Sequence, residues 1–260
     1  MRLTFLGTGT SFGIPQIGCA CAVCTSTDPR DRRNRTSVVL QSNGATILID
    51  TPPELRLAML AAGIRSVDAV LYTHDHADHT HGIDDLRALS GKGRGQLPIY
   101  GPADALQRMR RKFDYIFDPE ARPIPGSSRP DVTTAALEPG VETVVAGVPV
   151  LPLQFSHGPS TVLGFRFGSL AYLTDVREVP SSTRAALRGL DVLVLNALFH
   201  RPHPTHLSVP EAVETARAIG ARRTYLTHLT HETGHAALLA ELPRGIEPAY
   251  DGLVVDCQGA

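Results

Sequence analysis

The run His74-Asp75-His76-Ala77-Asp78-His79 follows directly on the apolar stretch Ala69–Tyr72. It sets four metal-ligand side chains in six positions, at the spacing H-x-H-x-D-H. Side chains two apart in an extended or turning backbone can face the same way, so His74 and His76 can share one ion. Asp78 and His79 come where a helix is expected to start. They point to a neighbouring position and can hold a second ion. Neutral imidazole suits Zn, Cu, Fe and Ni, and carboxylate oxygen also admits Mn. A solvated polar face seldom carries such a density of ligand-type side chains.

Two ions need more ligands than one loop supplies, and this constrains the fold. Other apolar runs must end at the same place. Candidates stand at three further strand ends: His157 in Phe155-Ser156-His157-Gly158, Asp175 after Leu173-Thr174, and His228 after Leu226-Thr227. Asp175 has two carboxylate oxygens and can bridge both ions. Apolar strands with a polar residue at the carboxyl end are the pattern of an α/β site.

The rest of the chain agrees with that class. Arg2–Leu6, Ser37–Gln41, Ala45–Ile49, Leu97–Tyr100, Val141–Phe155, Thr161–Phe167, Ala171–Thr174, Val192–Leu195 and Arg223–Thr227 read as strands. Ser42-Asn43-Gly44 is a hairpin signal. Glu54–Ala62 and Ala103–Phe117 have helical spacing. Ser208-Val209-Pro210-Glu211 has capping-box form and opens a helix that stops at Gly220. Asp118 to Gly140, rich in Pro, Gly and Ser, is expected to be a long connection, a candidate lid. The strands fall in two groups, which predicts a two-sheet α/β sandwich.

Bulk properties narrow the function classes. The 260 residues are 42% hydrophobic and 20% charged, with a formal net charge of −1. A chain this long can bury roughly three quarters of its unfolded surface. Near-neutral charge gives no global field for nucleic acid or anionic lipid. No run of about 18 apolar residues is present, and the N-terminus lacks a signal-peptide core, so no membrane partner and a cytoplasmic location are expected. Arg108, Arg110, Arg111 and Lys112 form a basic run on a predicted helix. Its default is a solvated face, with contact to substrate phosphate or RNA as the alternative. Gly7-Thr8-Gly9-Thr10-Ser11 lacks the Gly-Lys-Ser/Thr of a P-loop. It reads first as a strand–loop feature and second as a phosphate cradle.

Three of the four cysteines lie in Cys19-Ala20-Cys21-Ala22-Val23-Cys24. In a reducing compartment this spacing reads as metal ligation. A closed zinc site wants four ligands, and Cys257 and His231 are the candidates for the fourth.

The metal run, taken in order with Asp50, His157, Asp175 and His228, resembles the metallo-β-lactamase superfamily. The resemblance extends over nearly the whole chain, from Gly7-Thr8-Gly9 to Tyr250-Asp251-Gly252. It implies one domain over residues 1–260 with the αββα four-layer sandwich. It also implies one ion on His74, His76 and His157, a second on Asp78, His79 and His228, and Asp175 between them. Asp50 would orient the metal loop. The cysteine run is similar to that of the PhnP-type phosphodiesterases, which implies a structural zinc on Cys19, Cys21, Cys24 and His231. Cys257 is then a small hydrophobe. The same resemblance implies a homodimer and a catalytic histidine at His206, with His200 and His203 as loop residues. Asn196 departs from the pattern, since related sequences often have an acid there.

The implied activity is a dinuclear metal-dependent hydrolase acting on a small phosphodiester, cyclic ones such as phosphoribosyl 1,2-cyclic phosphate included. Two divalent ions (Mn, Zn or Fe) acidify a bridging water, neutralise phosphoryl oxygens and align the attack. Asp78 and His206 are the catalytic candidates, His206 as general acid to the leaving oxygen. The alternatives are a ribonuclease Z-like nuclease, a carbonyl-ester, thioester or lactam hydrolase, and a non-catalytic cofactor-biosynthesis protein.

Overall fold

The computed structural model describes residues 1–91, 93–120 and 126–257. The first half supplies β1 (Arg2–Gly7), β2 (Ser37–Ser42), β3 (Ala45–Ile49), α1 (Leu55–Ala61), β4 (Ala69–Leu71), α2 (Ala77–Thr80), β5 (Leu97–Gly101), α3 (Ala103–Lys112), α4 (Asp114–Phe117) and β6 (Val132–Ala136). The second supplies β7 (Thr143–Val145), β8 (Val148–His157), β9 (Ser160–Phe167), β10 (Leu170–Leu173), α5 (Ser181–Arg184), β11 (Val192–Asn196), α6 (Val209–Ile219), β12 (Arg223–Thr227), α7 (His235–Glu241), β13 (Ile246–Pro248) and β14 (Val254–Asp256). They form two seven-stranded sheets, β14-β1-β2-β3-β4-β5-β6 and β13-β12-β11-β10-β9-β8-β7.

Strand alternation sorts the apolar side chains into three layers. Val38, Leu40, Ile47 and Ile49 meet Phe165, Phe167, Tyr172, Val192 and Val194 between the sheets. Val39, Leu48 and Val70 face the other way, onto Leu55 and Met59 of α1 and Leu106 and Met109 of α3. Leu193, Leu195 and Leu226 face Val209, Ala212 and Ala216 of α6 and Leu238 of α7. Helices therefore cover both outer faces, giving the αββα sandwich of the metallo-β-lactamase fold. Strands buried on both faces, such as Val-Leu-Val-Leu in β11, read as continuous apolar runs for this reason.

The local signals hold where they rest on backbone chemistry. Asn43 and Gly44 take left-handed conformations in the β2–β3 hairpin. Ser208 caps α6 by accepting from the Glu211 amide, Glu211 returns the bond to the Ser208 amide, and Gly220 ends the helix with positive φ. Three expectations are corrected. The strand expected over Val141–Phe155 is a hairpin, with β7 and β8 antiparallel across a turn at Ala146 and Gly147, both of positive φ. The helix expected over Ala103–Phe117 is broken at Phe113, which leaves helical geometry at φ −124° and ψ 48°. The expected connection from Asp118 to Gly140 contains β6, paired in parallel with β5 at the sheet edge. Val-Thr-Thr-Ala-Ala has too little apolar alternation to announce itself. Residues 121–125 of that stretch lie outside the described residues. No helix among the described residues is long and apolar enough to cross a membrane.

The sheet directions position the site. β3 and β4 run parallel, with Ile49 beside Leu71. β10, β11 and β12 run parallel too, with Leu173 beside Leu195 and Asn196 beside Thr227. β8 is antiparallel to β9 and β9 to β10, so β8 ends at the same side as β10. Asp50, His74, His157, Asp175 and His228 therefore all emerge at one end of the sandwich.

Candidate metal centre

Three of these residues sit on strained backbone. Asp50, Asp175 and His228 have φ of 63°, 59° and 58°, a region that non-glycine residues seldom adopt. Each is the turning point at which a buried strand delivers its side chain to the cluster.

The side chains converge as donor groups whose ligand atoms lie within 4.8 Å of one another: His74, His76 and His157; Asp78, His79 and His228; and His74, His79 and Asp175. Asp175 is at the centre. Its Oδ2 lies 3.9 Å from both His74 Nε2 and His157 Nε2 and 3.4 Å from His228 Nε2, and its Oδ1 lies 3.5 Å from His79 Nε2. The Thr174 hydroxyl donates to Asp175 Oδ1 at 2.6 Å. All these groups except His76, at the rim, are buried.

The opposite edges of three rings, His74, His79 and His157, are held by the protein, while His228 Nδ1 has no hydrogen-bond partner among the described residues. His79 Nδ1 donates to Asp50 Oδ2 at 2.7 Å, and Asp50 also accepts from the amide and hydroxyl of Thr73. His74 Nδ1 lies 3.0 Å from the Thr73 hydroxyl, and His157 Nδ1 3.1 Å from the Thr205 carbonyl. Tying Nδ1 leaves Nε2 as the inward atom, the arrangement that orients metal-binding histidines.

Three of the inward atoms, Nε2 of His74, His79 and His228, are buried with no hydrogen-bond partner among the described residues. Buried polar atoms without partners are costly, and three aspartates, Asp50, Asp78 and Asp175, surround His79. Such a set fits divalent cations. The electrostatics point the same way. Burial, with His79, His76 and His157 nearby, holds His74 well below its ordinary range. Burial alone would raise Asp175, but the imidazoles of His228 and His79 outweigh it and hold the carboxyl well below the carboxylate range. Neutral imidazole and ionised carboxylate are the forms that coordinate. His79 is the exception: against the effect of burial, Asp175, Asp78 and Asp50 hold it well above its ordinary range, so an ion bound there would displace its proton.

His206 joins the same carboxylate. Its Nε2 is 3.2 Å from Asp175 Oδ2, and its Nδ1 is 2.8 Å from the Thr205 hydroxyl. His203 is its neighbour, with ring centroids 5.3 Å apart. His200 faces outward and pairs with Glu241.

A second donor group stands apart. Cys19, Cys21 and Cys24 place their sulfurs 3.3, 3.4 and 3.4 Å from His231 Nδ1. The Cys24 amide hydrogen bond pushes the Cys21 thiol down to about 6, which favours the thiolate. Cys257 lies elsewhere, between the sheets beside β1, where its amide donates to the Met1 carbonyl. Of the two candidates for the fourth position, the fold brings only His231 to the cysteines.

Several residues take roles the sequence did not announce. Asp75, inside the metal run, turns away from the cluster and receives Arg108 at 2.8 Å and Lys112 at 2.7 Å. Arg110 reaches the Thr134 hydroxyl. The basic run is thus largely spent on tying α3 to the metal loop and to β6. The glycine loop is likewise committed. The Gly9 amide donates to Asn34 and the Thr10 amide to Leu229, so these two amides do not cradle a phosphate. A Cβ on Gly7 would fall 1.9 Å from the Arg35 carbonyl, so glycine is there for close packing. Asn196 binds Val176, next to Asp175, through both of its amide atoms. Thr73 and Thr205 carried no usable signal, because a polar residue beside a strand end is commonplace whether or not a site lies there; Asn196 stood out only as a departure from the resemblance, with no partner assigned.

Comparison with known proteins agrees with this geometry. The beta-lactamase superfamily domain matches residues 45–229. The chain is similar to a solved diphosphatase from the PhnP family, at 41% identity and a TM-score of 0.90, covering 99% of this chain and 98% of that one. It is 37% identical to an octanoyltransferase of Porphyromonas gingivalis strain W83 over 100% of this chain. That match takes in 52% of the relative, so the chain spans about half of its length. It is also 27% identical to ribonuclease Z of Myxococcus xanthus strain DK1622, over 98% of this chain and 97% of the relative.

Proposed function

This chain belongs to the metallo-β-lactamase superfamily and, within it, to the PhnP family, and on that footing we propose that it is a metal-dependent phosphodiesterase of small substrates. The observation that carries the reading is the convergence on Asp175 of two donor groups in which the buried Nε2 atoms of His74, His79 and His228 have no hydrogen-bond partner among the described residues. His74, His76 and His157 would hold one divalent ion, and Asp78, His79 and His228 the other, with Asp175 shared. When bound, such ions supply Lewis acidity that activates water and neutralises phosphoryl oxygens.

The protein's own residues supply the rest. Asp50, Thr73 and Thr205 hold the imidazoles in their tautomers. His206, with Nε2 toward Asp175 and Nδ1 toward Thr205, would hand a proton to the departing oxygen. A diphosphate substituted at both ends has the same phosphorus environment as a phosphodiester: two bridging oxygens and one negative charge. The PhnP-family diphosphatase therefore supports the same class of reacting centre.

A ribonuclease Z-like activity is the second reading, supported by the Myxococcus relative. Against it, Arg108 and Lys112 are engaged by Asp75 instead of standing free for phosphate. Turnover of bis(p-nitrophenyl) phosphate with Mn²⁺ or Zn²⁺, lost in Asp78→Ala, is the expected result. Cleavage of precursor tRNA at enzyme levels that leave small diesters intact would reverse the ranking, and turnover retained in Asp78→Ala would sink the assigned site.

A further inference from the structure

A cavity of about 210 Å³ opens beside His206, between the loop that leads to the cysteines and the loop that carries His203. Its walls include Phe12, Ile14 and Gln16 on one side and Phe199, His203 and His206 on the other. The larger hollows of the surface are elsewhere. The one lined by Asn43, Gly44 and Asp256, for example, lies at the hairpin end of the sandwich, away from the donor cluster.

The wall chemistry is aromatic. Phe12 is 65% exposed, a large apolar face left in water at the mouth of a cleft. Phe199 carries the Arg201 guanidinium 3.9 Å from its ring centroid. From Phe199 the rings step inward: 5.8 Å to His203, 5.3 Å on to His206, then 4.8 Å to both His157 and His228. This row of rings leads from the rim to the donor cluster. A cavity of this size holds one ring system, not a whole drug-sized ligand. Offset or edge-on contact with Phe12 and Phe199 suits a flat group.

We propose that this cavity is the subsite for a planar aromatic or heteroaromatic group, such as a nucleobase, on the leaving side of the substrate. The inference rests on the phosphodiesterase reading for the word "leaving": His206 lines the cavity and also meets Asp175, so a group departing toward His206 lies here. It further makes the cysteine–His231 site a support for substrate selection. That site anchors the loop bearing Phe12, and His231 itself lines the cavity.

Calorimetric binding to the metal-loaded protein tests this, with adenosine 5′-monophosphate and ribose 5-phosphate as probes that share a phosphate and a ribose and differ by the base. The wild type should bind the nucleotide at least about ten-fold tighter. Phe12→Ala and, separately, Phe199→Leu should bring the two probes to within roughly three-fold of each other while leaving ribose 5-phosphate unchanged. Equal affinities in the wild type, or variants that weaken both probes alike, would overturn the subsite. The two readings fail separately. Turnover of bis(p-nitrophenyl) phosphate without a nucleotide preference refutes the cavity alone. A nucleotide preference lost in the Phe12 variant, without turnover of any diester, supports the cavity and refutes the phosphodiesterase reading.

Discussion

Asn196 holds both backbone polar atoms of Val176: its Oδ1 accepts from the amide at 2.8 Å and its Nδ2 donates to the carbonyl at 3.1 Å. Val176 follows Asp175, whose positive φ aims its carboxylate at the imidazoles. The clamp fixes the peptide on the far side of that strained residue. An ionised acid at 196, as the resemblance leads one to expect, has no donor for the Val176 carbonyl. In this chain the amide is a positioning group.

Asn196→Asp should therefore lower kcat on bis(p-nitrophenyl) phosphate by about ten-fold or more and cost about 1–3 kcal/mol of folding stability, since one buried acceptor loses its donor. Turnover together with urea denaturation checks both. Unchanged kcat in a stably folded variant would remove Asn196 from the positioning of Asp175.

Asp50 touches no substrate in this reading and acts through His79. Asp50→Ala frees the His79 ring and the Thr73 hydroxyl. Metal affinity should fall by roughly 10- to 100-fold, the usual loss when a partner behind a ligand is removed. Competition titration with a zinc chelator reads this directly. Wild-type affinity would refute the orienting role.

The ties from Arg108 and Lys112 to Asp75 connect α3 to the metal loop. Both cations are partly exposed, so solvent screening keeps the cost to folding small. Asp75→Asn should nevertheless lower activity several-fold through a looser loop. A paired Arg108→Ala, Lys112→Ala variant should behave alike, and Arg111→Ala should not. If Arg111→Ala alone reduced activity, the basic run would be reassigned to substrate contact.

Buried groups beneath the glycine loop set opposing pH dependences. Burial, with the charges of Arg33 and Arg30, pushes His235 down to about 4. The unfolded chain therefore binds this proton first, and stability falls as pH drops from about 6.5 toward 4. Burial pushes Asp251 up to about 6, against hydrogen bonds from the Asn34 amide and Thr8. Here the folded chain binds the proton first, and stability rises as pH drops from 6 toward 4. The two slopes oppose each other between about 4 and 6. His235→Gln should leave the Asp251 slope unopposed, so the variant gains about 2–3 kcal/mol on the wild type from pH 6.5 to 4. Urea midpoints of both proteins at several pH values test it; a constant difference would show that His235 does not titrate in the folded chain as its burial dictates.

The two donor groups should separate on metal analysis. Cys24→Ser is expected to lose about one zinc per chain and keep the pair at the His/Asp cluster, because closed thiolate sites and open His/Asp sites hold their ions independently. Loss of all metal from a folded variant would show that the sites are coupled.

Much of the cluster was legible because its chemistry is dense and local. Four ligand-type side chains in His74–His79 are too many for a solvated face, and each distant ligand follows a short apolar run that reads as a buried strand. Elements were readable where periodicity or capping fixed them, as at Ser208–Gly220. β6 was missed because an edge strand needs only one partner, and Val-Thr-Thr-Ala-Ala satisfies it without a pattern. The break at Phe113 was missed because α3 and α4 share one helical spacing across it.

The sequence by itself determined which residue types can hold metal and which runs carry them to a strand end, since both follow from side-chain chemistry and short-range spacing. Only the tertiary structure decided their company. It turned Asp75 outward to Arg108, chose His231 over Cys257 for the cysteines, gave Asn196 to Val176, and set Phe12 across a cavity from Phe199. Those pairings join positions from about 20 to over 200 residues apart, and pairing across such distances is fixed by how two sheets pack, which no local pattern encodes.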